Sequence, residues 1–196
     1  MSLLLSTGAF ASSLSGAAPG MVLMKPTSIT HSGTSATLGA NGQVTFSAVT
    51  SLSLNGVFTA DFDNYVISVR SVLASGAQGL DMRYRVSGAD ASGSNYTDQY
   101  LIASGTGVTP GRDASQTRLR IGATSDTLRT GHTVYIYGPA LAQPTASRSV
   151  SADGISNARI YDNANTHSLS TAYDGFTIFP ASSSMTGAVQ VYGVRS

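Results

Sequence analysis

The 196-residue chain contains no cysteine, no tryptophan and no glutamate, and its single lysine is Lys25. Without cysteine there are no disulfide staples and no thiolate metal sites, and the redox compartment is left open. The near absence of Glu and Lys removes the straight-chain residues that favour exposed helices. Charged residues make up only 11% of the chain, less than half of the roughly 25% usual in soluble domains. A free monomer is therefore short of charged surface. The net charge of +1 supplies no bulk attraction to nucleic acid or to an anionic membrane, and neither is expected as a partner. No run approaches the roughly 18 apolar residues of a membrane-spanning helix. The start, Met1-Ser2-Leu3-Leu4-Leu5, lacks the basic segment of a secretory leader, and none is expected.

What the chain does contain is Ser, Thr, Gly, Val and Tyr, the residues of strands and turns. With 41% hydrophobic residues the composition is that of a folded body and not of a disordered tail. Residues 1 to about 20 are uncharged, with scattered Leu3, Leu4, Leu5, Phe10 and Leu14. They read as an arm whose apolar side chains either anchor the protein to a neighbour or fold back on its own body. Thereafter turn signals recur at strand-length intervals: Asn41-Gly42, Asn55-Gly56, Asp153-Gly154 and Asp174-Gly175. In Leu80-Asp81-Met82-Arg83-Tyr84-Arg85-Val86 the apolar residues share one face and Asp81, Arg83 and Arg85 the other, the pattern of a half-buried strand. Thr117 to Ile121 repeats the scheme, and Tyr65 to Arg70, Thr133 to Tyr137 and Phe176 to Phe179 are further β-rich runs. Residues 87–95 and 104–111, rich in Gly and Ser, read as long loops. The expectation is an all-β fold, an antiparallel β-sandwich or jelly roll, with residues 1–45 forming an N-terminal arm and linking strands and residues 46–196 the body.

No catalytic pattern stands out. All ten acidic residues are Asp, mostly in turn-like contexts where Asp bonds its own backbone. His31, His132 and His167 are far apart and have no metal-ligand spacing. The nucleophile elbow and the phosphate loop are absent. Gly105-Thr106-Gly107 begins like a dinucleotide fingerprint, but Pro110 replaces its third glycine and no βαβ pattern surrounds it. Asp61 and Asp63 offer oxygen ligands that suit calcium, yet Asp61-Phe62-Asp63-Asn64 reads better as a turn, and whether an ion sits there stays open. No enzyme activity, no cofactor and no catalytic residue is expected. Arg83, Arg85, Arg118 and Arg120 form a basic stripe if their strands are neighbours. They either pair with nearby acids or contact an acidic partner protein or a sugar.

Two segments carry a resemblance: Phe58-Thr59-Ala60-Asp61-Phe62-Asp63-Asn64-Tyr65-Val66-Ile67, and the ending from Asp174-Gly175-Phe176-Thr177-Ile178-Phe179-Pro180 through Thr186-Gly187 to Val191-Tyr192-Gly193. Over about residues 56 to 195 the chain resembles a recurring β-sandwich domain of tailed-bacteriophage virion proteins, in which an F-D-N-Y strand opens the body and a hairpin closes it. Ser184-Met185 stands where that pattern has glycine. The resemblance implies a structural protein of the tail fibre, tail tip or head decoration, without cofactor. It would be trimeric, bound to major capsid or tail proteins, and located in the virion after synthesis in the bacterial host cytoplasm. A receptor- or glycan-binding module of the tail is the alternative. In the closing segment, Phe176 and Ile178 are expected on one core-facing strand, with Val189 and Val191 returning on the core side.

Overall fold

Alternating residues and frequent turns produce strands throughout the computed structural model, which describes residues 20–152 and 158–195. Among the described residues there is no helix. The strands are β1 (Met21–Met24), β2 (Ser28–Leu38), β3 (Val44–Asn55), β4 (Asn64–Leu73), β5 (Gln78–Val86), β6 (Ala89–Asp90), β7 (Tyr96–Ser104), β8 (Gly107–Gln116), β9 (Leu119–Thr124), β10 (Thr130–Tyr137), β11 (Thr145–Ala152), β12 (Ile160–His167), β13 (Gly175–Pro180) and β14 (Met185–Val194). All pairings are antiparallel. β1 and β2, from the segment read as arm and linking strands, pair with β14 and β3. The anchoring residues Leu3, Leu4, Leu5, Phe10 and Leu14, and the turn at Asp153-Gly154, lie outside the described residues.

The strands form one curled sheet folded into two layers. β4, β10, β11, β12, β7 and β8 lie side by side in that order. The other layer runs from β3 through β13 and β5 to β9, and β9 packs across β10, β11, β12 and β7. β3 belongs to both layers: Leu52 to Leu54 pair with β13, and Val44 to Val49 with β14. Within the β14-paired stretch, where the register shifts between Val49 and Phe46, Ala48 has a φ of +48°, in the left-handed region. Opposite it, β2 carries a bulge at Ser32/Gly33. A Cβ on Gly33 would fall 2.3 Å from the Ala48 carbonyl oxygen, so the corner requires glycine.

The core fills the space between layers with Leu52, Leu54, Phe176, Ile178, Leu80 and Met82 from one side and Ile67, Val69, Val134, Ile136, Val189 and Val191 from the other, all fully buried. Phe58 closes one end, its ring 4.9 Å from Tyr65 and 5.8 Å from Phe176. The Tyr65 hydroxyl donates to the Thr59 carbonyl (2.8 Å) and accepts from the Thr59 amide (2.7 Å), which pins the connection before β4.

Several sequence expectations need correction. β5 is not half-buried: Asp81 is 2% and Arg85 9% exposed, because neighbouring side chains and loops cover both faces. Residues 104–111 are not a long loop. β7 and β8 form a hairpin turned at Gly105-Thr106, and Pro110 is tolerated because β8 is an edge strand. Phe176, Ile178, Val189 and Val191 do face the core, yet β13 and β14 do not pair with each other. Each instead takes a different half of β3, so the closing segment is not a hairpin.

Candidate functional site

The four candidate arginines are brought to neighbouring strands, since β5 pairs with β9 and Asp81 lies opposite Arg120. They do not form an open stripe. The Arg85 guanidinium lies over the sheet, donating to Ser53 Oγ (3.1 Å), Thr177 Oγ1 (2.8 Å) and Asn55 Oδ1 (3.1 Å), and it also bonds Asp90 and the Gly88 carbonyl. Arg83 donates to the Thr117 carbonyl (2.9 Å) and stacks 4.8 Å from the Phe179 ring centre. Arg118 Nε donates to Asp81 Oδ2 at 2.5 Å. Arg120 pairs with Asp113 at 3.3 Å and stacks 4.7 Å from the Tyr100 ring. Each arginine thus holds strands and loops of its own chain together, the cross-strand pairing that was one of the two sequence readings.

Arg118, Arg120, Asp81, Tyr161 and Ile102 also line a cleft of about 260 Å³ beside Gly122. Burial raises the Asp81 carboxyl above the ordinary carboxylate range, and the Arg118 charge and hydrogen bond oppose that rise. A larger cleft, about 850 Å³, lies between β1 and the loop of Ala60 to Asn64, with Lys25, Asp61, Asp63 and Arg195 on its walls. The Asp61-Phe62-Asp63-Asn64 segment is a turn in which Asp61 Oδ2 accepts from Thr59 Oγ1 at 3.2 Å. Among the described residues no three His, Cys, Asp or Glu side chains come together as metal ligands.

The histidines divide by burial. His31 is exposed on β2. His132 is buried, with Nε2 at 3.1 Å from Thr124 Oγ1, and burial pulls its pKa down to about 3. His167 is fully buried among Tyr84, Tyr96 and Tyr173, 3.2 Å from the Tyr173 hydroxyl, and burial lowers its pKa as well. These side chains belong to a polar seam between the layers. It continues through Thr145, Ser147, Ser149 and Ser151 of β11, Asn163 and Asn165 of β12, and Asp98 of β7, all buried. Burial pushes the Asp98 carboxyl up to about 6, against the hydrogen bond it accepts from the Arg120 amide.

The seam has a consequence on the opposite face. Strands alternate, so serines and asparagines turned inward on β11 and β12 place Arg148, Val150, Ile160, Asp162 and Ala164 outward. This inverts the usual polarity of a half-buried strand. The neighbours agree with that register: β10 turns Val134 and Ile136 inward and Tyr135 and Tyr137 outward, and β7 exposes Leu101. The outer face of this layer therefore presents Tyr135, Tyr137, Val150, Leu101, Ile160 and Val108 to solvent. At its centre Arg148 binds Asp162 through two parallel bonds, Nε to Oδ1 at 2.9 Å and Nη2 to Oδ2 at 2.5 Å. Sequence reasoning missed this face because it pointed to arginines in polar alternation. The available signal was Thr145-Ala146-Ser147-Arg148-Ser149-Val150-Ser151-Ala152, with a small hydroxyl residue at every second position.

No family model matches the chain, and no curated protein matches it. Among solved structures it is similar to domain 4 of AbnA, a GH43 extracellular arabinanase from Geobacillus stearothermophilus, in complex with arabinotriose. The two are 9% identical over 85% of this chain and 82% of that chain, with a TM-score of 0.33.

Proposed function

We propose that this chain is a non-enzymatic structural module that works by assembling with copies of itself and with neighbouring proteins. The observation that carries the reading is the outward-facing apolar surface of β10, β11, β12 and β7, set on a chain with little charge to keep it solvated. Exposed aromatic and aliphatic side chains on one contiguous sheet face are the composition of an interaction core. The paired state of Arg83, Arg85, Arg118 and Arg120 fits the same reading, because these charges stiffen the body instead of waiting for a ligand.

The resemblance of residues 56 to 195 to phage virion domains gives the assembly its proposed setting: the capsid surface or the tail of a tailed phage. The uncharged N-terminal residues, Leu3, Leu4, Leu5, Phe10 and Leu14 among them, are proposed to attach the body to the particle. Quantitative mass spectrometry of purified phage particles tests this. The expected result is a fixed copy number relative to the major capsid protein, many copies for a capsid position and few for a tail position. Absence of the protein from the particle would overturn the virion setting.

A further inference from the structure

Arg83, Arg85, Arg118, Arg120 and Arg148 each lie within 4.0 Å of an aspartate of their own chain. Arg70, Arg112 and Arg129, all exposed, have no acidic partner among the described residues. Arg70 of β4, Arg148 of β11 and Arg112 of β8 stand on the outer face of the six-stranded layer, and Arg129 directly precedes β10. Against these four arginines that face holds one acid, Asp162. Asp98 of β7 is turned into the polar seam, and Asp113 of β8 is held by Arg120. Four arginines against one aspartate give a local charge of +3 on a chain whose net charge is +1, so positive charge is gathered on this side of the molecule.

Arg70 and Arg129 open into one groove of about 480 Å³, with Ser68, Gly131, Thr133 and Val150 along it. Arg70 is the ladder partner of Gly131, and a Cβ on Gly131 would meet nothing within 4 Å, so the strand beside the two arginines is bare. At a strand spacing of about 4.8 Å and a rise of about 3.3 Å per residue, the arginine Cα atoms are roughly 8 Å apart. Two guanidinium groups on side chains of that length can converge on a single carboxylate. Asp126, in the same loop as Arg129, does not fill this role: its Oδ2 accepts from the Gly76 amide at 2.8 Å on the turn between β4 and β5. The Ser68 and Thr133 hydroxyls add further donors. Around the groove the exposed side chains are aliphatic, Leu128, Val150 and Ile160, and only the small Ala152 separates Gly131 from Ile160 across the ladder.

Unpaired guanidinium groups flanked by aliphatic side chains fit a peptide in which carboxylates alternate with apolar residues. A nucleic-acid backbone is held by a row of cations that follows its phosphates. Here the next unpaired cation on the face, Arg112, is five strands from Arg70, roughly 24 Å away. An acidic sugar supplies carboxylates but no aliphatic groups to cover Val150 and Ile160. A second copy presents the same positive face, and residues 1 to 24 of this chain contain no acid. We propose that the groove between Arg70 and Arg129 binds an acidic segment of a neighbouring protein, with a carboxylate seated between the two guanidinium groups and the adjoining apolar residue on Val150 and Ile160. This rests on the assembly reading and deepens it by giving the partner's chemistry. The contact with an acidic protein that the sequence suggested for Arg83, Arg85, Arg118 and Arg120 is thereby moved to two arginines that strand alternation did not mark.

Fluorescence anisotropy of labelled model peptides with the full chain provides the test. The probes are short peptides in which Glu alternates with Val, Gln with Val, and Glu with Ser. The Glu-Val peptide is expected to bind about tenfold more tightly than the Gln-Val peptide, and Arg70→Gln together with Arg129→Gln is expected to abolish that difference. Ile160→Ser should weaken the Glu-Val peptide and leave the Glu-Ser peptide unchanged, whereas Arg112→Gln should leave both unchanged. Circular dichroism spectra matching the wild type establish that the variants are folded. Equal binding of the Glu-Val and Gln-Val peptides, or no binding of either, overturns the proposal. So does an equal loss with Arg112→Gln, which would reduce the effect to bulk charge, or tighter binding of oligothymidylate or oligogalacturonate than of the Glu-Val peptide. Binding that appears only with Asp153→Asn would show that this chain's own acid takes the groove, and overturns it as well. Failure here with normal incorporation into particles would remove the acidic contact and leave the assembly reading standing.

Discussion

Arg118 Nε and Asp81 Oδ2 meet at 2.5 Å where β9 joins β5, and only the arginine reaches solvent: its side chain is 30% exposed, the aspartate's 2%. The buried carboxylate thus depends on a partner that can be removed without opening a large hole in the core. Arg118→Ala is expected to cost about 2 kcal/mol at neutral pH, since an unpartnered carboxylate would remain buried. Burial already raises the Asp81 pKa, and losing Arg118 raises it further, so the cost should shrink as acid protonates Asp81. Urea unfolding of both proteins at pH 7 and pH 4 checks this; an equal loss at both would show that Arg118 acts by packing alone.

Asp98 and His132 push stability in opposite directions with pH. The Asp98 pKa is raised from 3.8 to about 6, so its favourable contribution is fully present below about 4 and is lost as pH rises through about 6. The His132 pKa is lowered from 6.5 to about 3, so its contribution is present above about 6.5 and is lost as pH falls toward 3. Asp98→Asn removes the first effect. The variant should match the wild type near pH 4, exceed it at pH 8 by about 2 kcal/mol, and lose stability more steeply on acidification. Denaturant melts across pH 4 to 8 give the curves.

Gly187 pairs β14 with β4 at Ser71, and a Cβ there would lie 2.0 Å from the Arg70 carbonyl oxygen. Gly131, exposed on β10 between β4 and β11, has no neighbour within 4 Å of that position. Gly187→Ala should therefore cost about 3 kcal/mol or more, because backbone must move, whereas Gly131→Ala should lie within about 1 kcal/mol of the wild type, on the stabilising side. Thermal melts of the two variants distinguish a packed strand crossing from a general intolerance of added methyl groups.

Tyr96 donates its hydroxyl to the Ala91 carbonyl at 2.7 Å and accepts from the Tyr84 amide at 3.1 Å, tying the connection after β6 to β5. Tyr96→Phe leaves the ring stacked on Tyr84, 6.1 Å between centres, and removes both bonds. A loss of about 1 to 2 kcal/mol is expected, with hydrogen exchange accelerating at the Tyr84 amide more than at Ile67.

Sequence patterns revealed strands where side chains alternate strongly, as in Leu80 to Val86 and Thr133 to Tyr137, because a local period of two is all that such strands require. They did not reveal β8, whose Gly107, Pro110 and Gly111 look like a loop until β7 and the Tyr100 ring supply partners. The direction in which β11 and β12 face was hidden for a related reason. Ser147 or Asn163 turns inward only because β10 and β7 fix the register around it, and that information lies in other segments of the chain. The same distance concealed the fate of Phe176 to Val191, where local pattern indicated a hairpin and β3 dictated otherwise.

β14 binds β4 along one edge and β3 and β1 along the other, and the Ala48 amide donates to Thr186 Oγ1 across 138 residues of sequence. On the ribosome, then, the layer made of β4, β10, β11, β12 and β7 can be translated in full while the strand that welds it to β3 does not yet exist. Closure of the core has to wait until β14 has been translated, and contacts of such long sequence separation form slowly. Until then Val44, Val69 and Leu73 have no β14 to cover them and are surfaces for chaperones or for misassembly. A premature stop before Met185 would for that reason abolish the fold and not merely shorten it.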